Sequence, residues 1–251
     1  MKKIFLVLLS LIMMLGLSAC DQIDELFAGL NPEVFAPDVT SGEAEFIDMV
    51  AELKNTVVAL SNTIVENNNE VRRASGIIIK KEEGALFHKY YILTSQYVVA
   101  GKSSIKVHTT PTENIDGTVL NVKTDYEQDE DIALVWFESS KNFDVYEVSR
   151  YSGTVESLNT RFIFSIGTPL SLSYYNYVTN PASIMGYDGN ILVHGTNLNF
   201  GQVGSPLFLK ETGELIGINV SYSLTTGARP EVLINRAIFI NRALDLVEEL
   251  I

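Results

Sequence analysis

The sequence predicts an all-β fold with one short helix near its start and another at its end. From Thr56 onward it consists of short runs rich in β-branched and aromatic residues, separated by polar breaks. Strands at this spacing, without long helices between them, are typical of a barrel or a sandwich. The runs that indicate strands are 56–60, 76–79, 90–94, 105–107, 132–137, 161–164 and 215–218.

The two helices are predicted from apolar residues at helical spacing. The first helix is predicted over residues 42–54 and begins within a sequence that resembles a capping box, Thr40-Ser41-Gly42-Glu43. Its apolar face is formed by Phe46, Met49, Val50 and Leu53. The last segment has Asn241 as its predicted cap. Its apolar stripe is formed by Ala243, Leu244, Val247, Leu250 and Ile251.

Composition and charge exclude several classes of function. The 251 residues include 18 basic and 31 acidic ones, which gives a formal net charge of −13. Because binding to phosphates needs a basic face, this charge argues against nucleic acid as a partner. The single cysteine leaves neither an internal disulfide nor a zinc site with paired cysteines. We therefore expect no metal and no cofactor.

The position of that cysteine predicts where the protein resides. Lys2 and Lys3 precede an uncharged apolar run, 4–17, which has the length of a signal-peptide core and is short for a membrane span. Leu17-Ser18-Ala19-Cys20 resembles the bacterial lipoprotein processing box, in which the cysteine becomes the lipidated N-terminus. The alternative is an ordinary signal peptide with an incidental cysteine.

The lipoprotein interpretation sets the domain boundaries. Residues 1–19 are the signal peptide, 20–40 a lipid-anchored tether that contains Pro32 and Pro37, and 41–251 one folded domain. Processing removes two lysines and no acidic residue, which takes the net charge from −13 to −15. The lipid on Cys20 then attaches the domain to the bacterial cell membrane, on its extracytoplasmic face.

Several motifs in order resemble the trypsin-like serine protease domain of the bacterial HtrA/Deg family, over roughly residues 55–251. The resemblance implies a double six-stranded β-barrel. The family's domain is commonly followed by a PDZ domain, but none is expected here, because the predicted terminal helix runs to Ile251. The motifs are 75–79 (SGIII), 91–101 (YILTSQYVVAG), 131–134 (DIAL), 166–170 (IGTPL), 201–207 (GQVGSPL), 213–219 (GELIGIN) and 240–243 (INRA).

The same resemblance argues against protease activity. At the places of the family's His, Asp and Ser the chain has Tyr97, Asp131 and Val203. Valine has no nucleophilic atom, and a tyrosine phenol, with an ordinary pKa of about 10, is a poor general base near neutrality. Removing one triad member costs on the order of 10⁴-fold in rate, and here two are replaced.

Other residues could take over a catalytic role or a structural one. The alternative function is an active serine endopeptidase with a rearranged centre, in which Ser205 works with His194 or His88. The simpler interpretation is that Ser205 is a small residue tolerated in a turn. Asp131 is expected to accept a hydrogen bond from the Tyr97 hydroxyl in place of a catalytic histidine.

An acidic run between the second and third motifs resembles a calcium-binding loop only in having carboxylates at alternating positions. It has Glu130 where such a loop has glycine and Trp136 where it has its last glutamate. We expect a solvated loop rather than a metal site. The carboxylates are those of Asp125, Glu127, Asp129, Glu130 and Asp131.

A protease fold without its triad can still bind a peptide. Gly201 and Val203 correspond to the family's oxyanion-hole positions, and 218–222 is similar to the strand that pairs with an extended substrate. The residues of that strand are Ile218, Asn219, Val220, Ser221 and Tyr222, and further aromatics that could form a recognition surface are Tyr174, Tyr175, Tyr177 and Tyr187.

The function predicted from the sequence is therefore a membrane-anchored, inactive protease homologue that binds an extended peptide or an envelope protein. A further hypothesis is a purely structural lipoprotein, in which the family's peptide-binding groove is an evolutionary relic. The family's proteases are typically trimers through an aromatic N-terminal segment, which leaves a homo-oligomer open here. The candidate residues for such contacts are Phe27, Phe35 and Phe46.

Overall fold

The computed structural model describes residues 41–64, 70–99, 101–110, 112–121, 127–169, 176–220 and 235–251. The predicted signal peptide, Cys20 and the tether lie outside these residues. The strands all belong to one compact unit, Glu45–Ile251. Among the helices of the described segments, none combines the length and the apolar character that crossing a membrane requires.

Six antiparallel strands close a first barrel, in the order β1-β2-β3-β6-β5-β4. Its longest strand, β2, pairs along β1 on one side and β3 on the other. Both ends of the barrel sheet meet where β1 pairs with β4. The strands are β1 (Val57–Ile64), β2 (Glu70–Glu82), β3 (His88–Thr94), β4 (Ser104–Thr110), β5 (Glu113–Val119) and β6 (Ala133–Ser139).

A second six-stranded barrel follows, in the order β11-β12-β13-β10-β9-β7, and it closes because β11 also pairs with β7. The two-residue strand β8 lies beside β7. The all-β double-barrel fold expected from the sequence is thus confirmed. The strands are β7 (Phe162–Gly167), β8 (Tyr177–Val178), β9 (Ala182–Asp188), β10 (Ile191–His194), β11 (Pro206–Leu209), β12 (Leu215–Asn219) and β13 (Asn235–Phe239).

Helices are short and lie at the two ends of the described chain and after β3. The helix predicted for residues 42–54 is confirmed, as α1 (Ser41–Lys54). The other α-helices are α2 (Gln96–Val99) and α3 (Ile240–Val247), and 3₁₀ turns occupy Gln128–Glu130, Val155–Leu158 and Glu248–Leu250.

The capping prediction for the last helix is wrong. Helix α3 begins at Ile240, directly after Phe239, and no side chain caps it. The Asn241 side chain instead accepts a hydrogen bond from the Tyr151 amide (2.8 Å) and donates one to the Tyr151 carbonyl (3.1 Å). Asn241 therefore ties the helix to the segment between the barrels. Of the predicted apolar stripe, Ala243, Leu244 and Val247 are buried, whereas Leu250 and Ile251 are exposed.

The central strands are apolar on both faces because the two barrels pack against each other. Ile78, Ile92 and Val135 belong to the core inside the first barrel. Their neighbours Leu93 and Leu134 belong to a second core, which continues into the second barrel. Side chains alternate between the faces of a strand, so an uninterrupted apolar run indicates burial on both sides.

Each of the seven predicted runs coincides with a strand, and six further strands among the described residues were missed. Most of the missed strands are short or polar. Strands β10 and β11, for example, have four residues each, and β5 reads ENIDGTV, with alternate residues exposed. Such strands are held by pairing with their neighbours rather than by their own composition. The strands missed are β5, β8, β9, β10, β11 and β13.

A loop of the second barrel is fixed against the first barrel by Ser75. We call residues 199–205 the Val203 loop. The Ser75 amide donates to the Val203 carbonyl and its hydroxyl to the Gly201 carbonyl, both at 2.9 Å. Gly204 has a φ of +81°, and a Cβ there would overlap the Thr94 hydroxyl and the Ser75 carbonyl oxygen. Only glycine fits this joint.

We expect Gly204→Ala to lower the free energy of unfolding by about 3 kcal/mol, because it combines a strained φ with overpacking. Urea denaturation measures the change. The matched control is Gly186→Ala, since a Cβ at Gly186 has no atom within 4 Å. The control should change stability by no more than about 0.5 kcal/mol, and equal effects of the two substitutions would contradict the packing described for this joint.

Candidate functional site

The first component of the site is Tyr97, which lies in the short helix after β3. The Thr94 hydroxyl at the end of β3 donates to the Ser75 carbonyl (2.7 Å), which fixes the chain direction into the helix. Val98 and Val99 are buried in the first barrel. The Tyr97 side chain is 38% exposed. Tyr97 is therefore partly accessible to solvent, close to the residues that join the two barrels.

The second component is Asp131, a buried carboxylate shortly before β6. Its Oδ1 accepts hydrogen bonds from the Tyr97 amide (2.8 Å) and the Ser95 hydroxyl (2.7 Å). This hydrogen bond between Tyr97 and Asp131 is therefore donated by the Tyr97 main-chain amide. Pairing with the Tyr97 hydroxyl stays a prediction. Asp131 fixes the backbone that carries Tyr97, a role that needs no catalytic histidine.

The third component is Val203, which the Val203 loop brings beside the other two. Val203 is half-buried and packs against the core of the first barrel. The next residue, Gly204, approaches Thr94 and the Ser95 amide closely. The three sequence-predicted positions are therefore assembled at one place. They offer a phenol, a buried carboxylate and an isopropyl group, and so contain neither a nucleophile of the serine type nor an imidazole.

Two main-chain amides of the Val203 loop keep their hydrogen-bonding capacity. The carbonyls of Gly201 and Val203 are both bonded to Ser75. Their amides have no hydrogen-bond partner among the described residues. Gly201 has a φ of +95°, a conformation that favours glycine. An acceptor oxygen on a ligand could be bound by such amides.

Ser205, the candidate substitute nucleophile, is fully buried inside the second barrel. Its hydroxyl lies 3.0 Å from the Ser165 hydroxyl and accepts a hydrogen bond from Asn219 Nδ2 (2.9 Å). The Ser165 hydroxyl also donates to the Pro206 carbonyl (2.7 Å). Ser205 is therefore part of an internal polar network, and its Oγ is not presented to solvent.

The histidines do not lie where a relocated base would be useful. His194 is fully buried, and its Nδ1 is 2.8 Å from the Thr196 hydroxyl. Burial lowers the pKa of His194 to about 4, and the side chain of Asn219 opposes this only in part. His88 Nδ1 lies 2.7 Å from Glu83 Oε2, at the start of β3. That is about 20 Å along the strand from Thr94, at 3.3 Å per residue.

Two carboxylates of the acidic run form ion pairs with the terminal helix. Asp129 and Glu130 lie 3.4 and 3.6 Å from the Arg242 guanidinium on α3. No group of three or more potential metal-binding side chains occurs among the residues that the structure describes. Asp125 lies outside them. The described part of the run therefore fastens the terminal helix to the body of the protein.

The prediction that Ile218 and Asn219 pair with a peptide is wrong. Both are buried in β12, which lies between β11 and β13. The Asn219 amide donates to the Ser205 carbonyl (2.9 Å), and its carbonyl accepts from the Gly204 amide (2.7 Å). With both edges of the strand occupied, neither residue has main-chain groups left for a ligand.

The rest of the predicted peptide-binding segment is only partly described. Val220 is buried, and its amide donates to the Arg236 carbonyl (3.0 Å). Ser221 and Tyr222 lie outside the described residues, as do Tyr174 and Tyr175. Strand pairing with a ligand therefore stays a prediction for Ser221 and Tyr222.

One exposed aromatic beside the site was missed from the sequence. Phe200 is exposed and directly precedes Gly201 in the Val203 loop. A large apolar residue next to a turn glycine is the signal that could have indicated it. Tyr177 and Tyr187, by contrast, lie on β8 and β9 of the second barrel and are also exposed.

The fold and the arrangement of the site define a trypsin-like domain, and comparison with known proteins gives the same result. A family described as "Trypsin-like peptidase domain" matches residues 74–218. This range exceeds half of the chain, and the chain belongs to that family.

Its relatives include proteases of the HtrA type. The Bacillus subtilis (strain 168) proteins "Serine protease Do-like HtrA" and "Serine protease Do-like HtrB" are each 26% identical to it, over 200 and 221 residues. The alignments cover 68% and 76% of this chain. They cover only 41% and 45% of the relatives, so the chain spans less than half of their length.

Solved structures show the same fold at lower sequence identity. A serine endoprotease from Yersinia pestis has a TM-score of 0.58 and 22% identity, covering 81% of this chain and 65% of that one. The HtrA-type protease AlgW with tripeptide has a TM-score of 0.61 and 21% identity, covering 81% and 62%.

The buried His194 predicts a pH dependence of stability. The unfolded chain binds a proton at His194 below its ordinary pKa of about 6.5, whereas the folded chain does so only near 4. Stability is therefore lost as the pH falls through this window. Between pH 7 and 5 the loss due to His194 is about 2 kcal/mol, at 1.36 kcal/mol per pH unit.

Urea denaturation at pH 7 and pH 5 tests this expectation. The free energy of unfolding of His194→Gln should fall less over this interval than that of the unmodified chain. The matched control is His88→Gln, which retains His194 and should keep the full loss. Identical pH dependence of the unmodified chain and His194→Gln would show that the imidazole is not buried in its neutral form.

Proposed function

We propose that this protein is a lipid-anchored homologue of trypsin-like proteases that has lost peptidase activity and binds an extended peptide segment at the bacterial cell envelope. The observation that carries the proposal is the site itself. Tyr97 and Val203 occupy the places of the base and the nucleophile, while Asp131 is retained with a main-chain partner.

Loss of activity is supported by the chemistry of these side chains. Acyl transfer needs a nucleophilic atom and a base that removes its proton. Val203 provides no such atom. The alternative centre on Ser205 is disfavoured, because its hydroxyl is buried among Ser165 and Asn219. His88 is too distant, and the depressed pKa of His194 accompanies complete burial in the second barrel.

Peptide binding is supported by the features that remain. The amides of Gly201 and Val203 can donate to an oxygen of a ligand main chain, and the exposed rings of Tyr97 and Phe200 lie on elements that meet at the site. Aromatic anchors and main-chain hydrogen bonds are the usual means of recognising an extended segment. Neither requires a catalytic serine.

Membrane attachment is supported only by the sequence of the predicted signal peptide and the cysteine that follows it. The basic start, the apolar run and Leu17-Ser18-Ala19-Cys20 fit a lipoprotein signal. An acidic chain has no attraction of its own for anionic lipid. A covalent lipid on Cys20 would supply the attachment, and the partner would then be an envelope protein or an unfolded segment of one.

The proposal predicts that purified protein is not labelled by a serine-directed fluorophosphonate probe and does not hydrolyse unfolded casein. The double variant Tyr97→His, Val203→Ser restores a base and a nucleophile beside Asp131, so we expect it to be labelled. Each single variant lacks one of the two groups and should stay unlabelled. Mass spectrometry of the labelled peptide identifies the modified residue.

Ser205→Ala serves as the control for the alternative centre. In the double variant it should leave labelling at position 203 unchanged. Labelling of the unmodified chain that disappears in Ser205→Ala would refute the proposal and establish a rearranged hydrolase instead.

The binding part of the proposal is tested with fluorescently labelled, unfolded casein in an anisotropy titration. We expect the unmodified chain to bind it and Tyr97→Ala to weaken binding about tenfold, because an exposed aromatic anchor is lost. The matched control is Tyr187→Ala, since its ring is similarly exposed, at 43%, but lies on β9. Equal weakening by both variants would place the binding surface elsewhere.

A further inference from the structure

An exposed apolar tip projects from the first barrel, at the turn of the hairpin formed by β2 and β3. We call residues 83–87 the hairpin tip. Leu86 is 80% exposed and Phe87 is 56% exposed. Two adjacent large apolar side chains in water are unfavourable unless another surface covers them. The hairpin tip belongs neither to the candidate site nor to either core.

The hairpin tip is an ordered turn on a paired stem. A Cβ at Gly84 would overlap the Phe87 carbonyl oxygen, so the turn closes tightly on itself. Directly below it, Glu82 pairs with Lys89 across the two strands. At the base, the Tyr90 hydroxyl donates to the Lys141 carbonyl (2.9 Å) and accepts from the Phe143 amide (3.2 Å). The fold therefore holds Leu86 and Phe87 outward.

The stem below the tip is lysine-rich in a protein that is otherwise acidic. Residues 80–89 contain three lysines and two glutamates, whereas the whole chain has a net charge of −13. Lys80 and Lys81 lie 3.1 and 2.6 Å from Glu82 and Glu83. Lys89 Nζ lies 4.4 Å from the centre of the Trp136 ring. Apolar tips above lysines and aromatic rings are typical of segments at a membrane surface.

We propose that the hairpin tip inserts Leu86 and Phe87 into the interfacial layer of the bilayer that carries the lipid on Cys20. This inference rests on the lipid anchoring in the proposed function. From Cys20 to Ser41 the chain spans at most about 75 Å, at 3.6 Å per residue. Anchoring thus keeps the domain near the membrane, where a weak second contact suffices to orient it.

The small size of the hairpin tip favours a bilayer over a protein as the surface that covers it. A stable protein interface covers about 800 Å² per partner, which a turn of five residues does not provide. Lipid headgroups, by contrast, accept single projecting side chains, and burial of each gives a separate gain. The surrounding lysines make this face less repelled by anionic lipid than an acidic face would be.

The test uses the full lipidated chain reconstituted in vesicles of phosphatidylcholine with roughly one quarter phosphatidylglycerol, which supplies an anionic surface. Ala85→Cys carries an environment-sensitive NBD dye beside the intact Leu86 and Phe87. The expected result is a blue-shifted emission with strongly reduced iodide quenching. Leu86→Ser with Phe87→Ser should lower the ratio of inserted to free tip at least about tenfold, because each buried side chain alone gives a gain of this order.

The matched control is Met185→Cys with the same dye, since Met185 is exposed to nearly the same degree as Phe87, at 55%, but lies on β9 of the second barrel. Its dye should stay quenchable by iodide. Intact mass measurement of Cys20 and flotation with vesicles report the anchor separately. An anchored chain whose dye at position 85 stays in water overturns the tip proposal alone, whereas a chain without lipid on Cys20 overturns the anchoring.

Discussion

The arrangement of the molecule depends on the hydrogen bonds of one buried residue, Ser75. It binds the Gly201 and Val203 carbonyls of the second barrel, accepts from Thr94 of the first, and its hydroxyl oxygen also accepts from the Thr168 amide (2.8 Å). Segments that are distant in sequence therefore meet at a single residue. Because these groups are buried, leaving any of them unpaired would cost more than one hydrogen bond contributes.

The same joint shows how the geometry of the centre is held independently of the side chains at positions 97 and 203. Its positions are fixed by hydrogen bonds to main-chain groups and by glycine at 204, and none of these contacts uses the side chain of Tyr97 or Val203. Asp131 illustrates this, since it holds the Tyr97 amide rather than an imidazole. A tyrosine and a valine at the places of the base and the nucleophile therefore leave the surface, its amides and its exposed aromatic rings in place.

The hairpin tip and the candidate site lie on different parts of the fold. A bilayer contact at Leu86 and Phe87 would use the turn before β3, whereas Tyr97 follows the end of that strand, about 20 Å away at 3.3 Å per residue. The strand thus separates the proposed membrane contact from the proposed peptide contact. A domain oriented in this way could bind a partner while it is attached to the membrane.

The class of fold could be predicted from the sequence, and it is confirmed by the two closed barrels. Short runs rich in β-branched and aromatic residues predicted strands, and the resemblance carried by the ordered motifs predicted that Tyr97, Asp131 and Val203 meet. Three further features became evident in the folded structure: β5 is a strand, both edges of β12 are paired, and Ser205 is buried. These properties arise from pairing and packing between distant segments, which local composition does not encode.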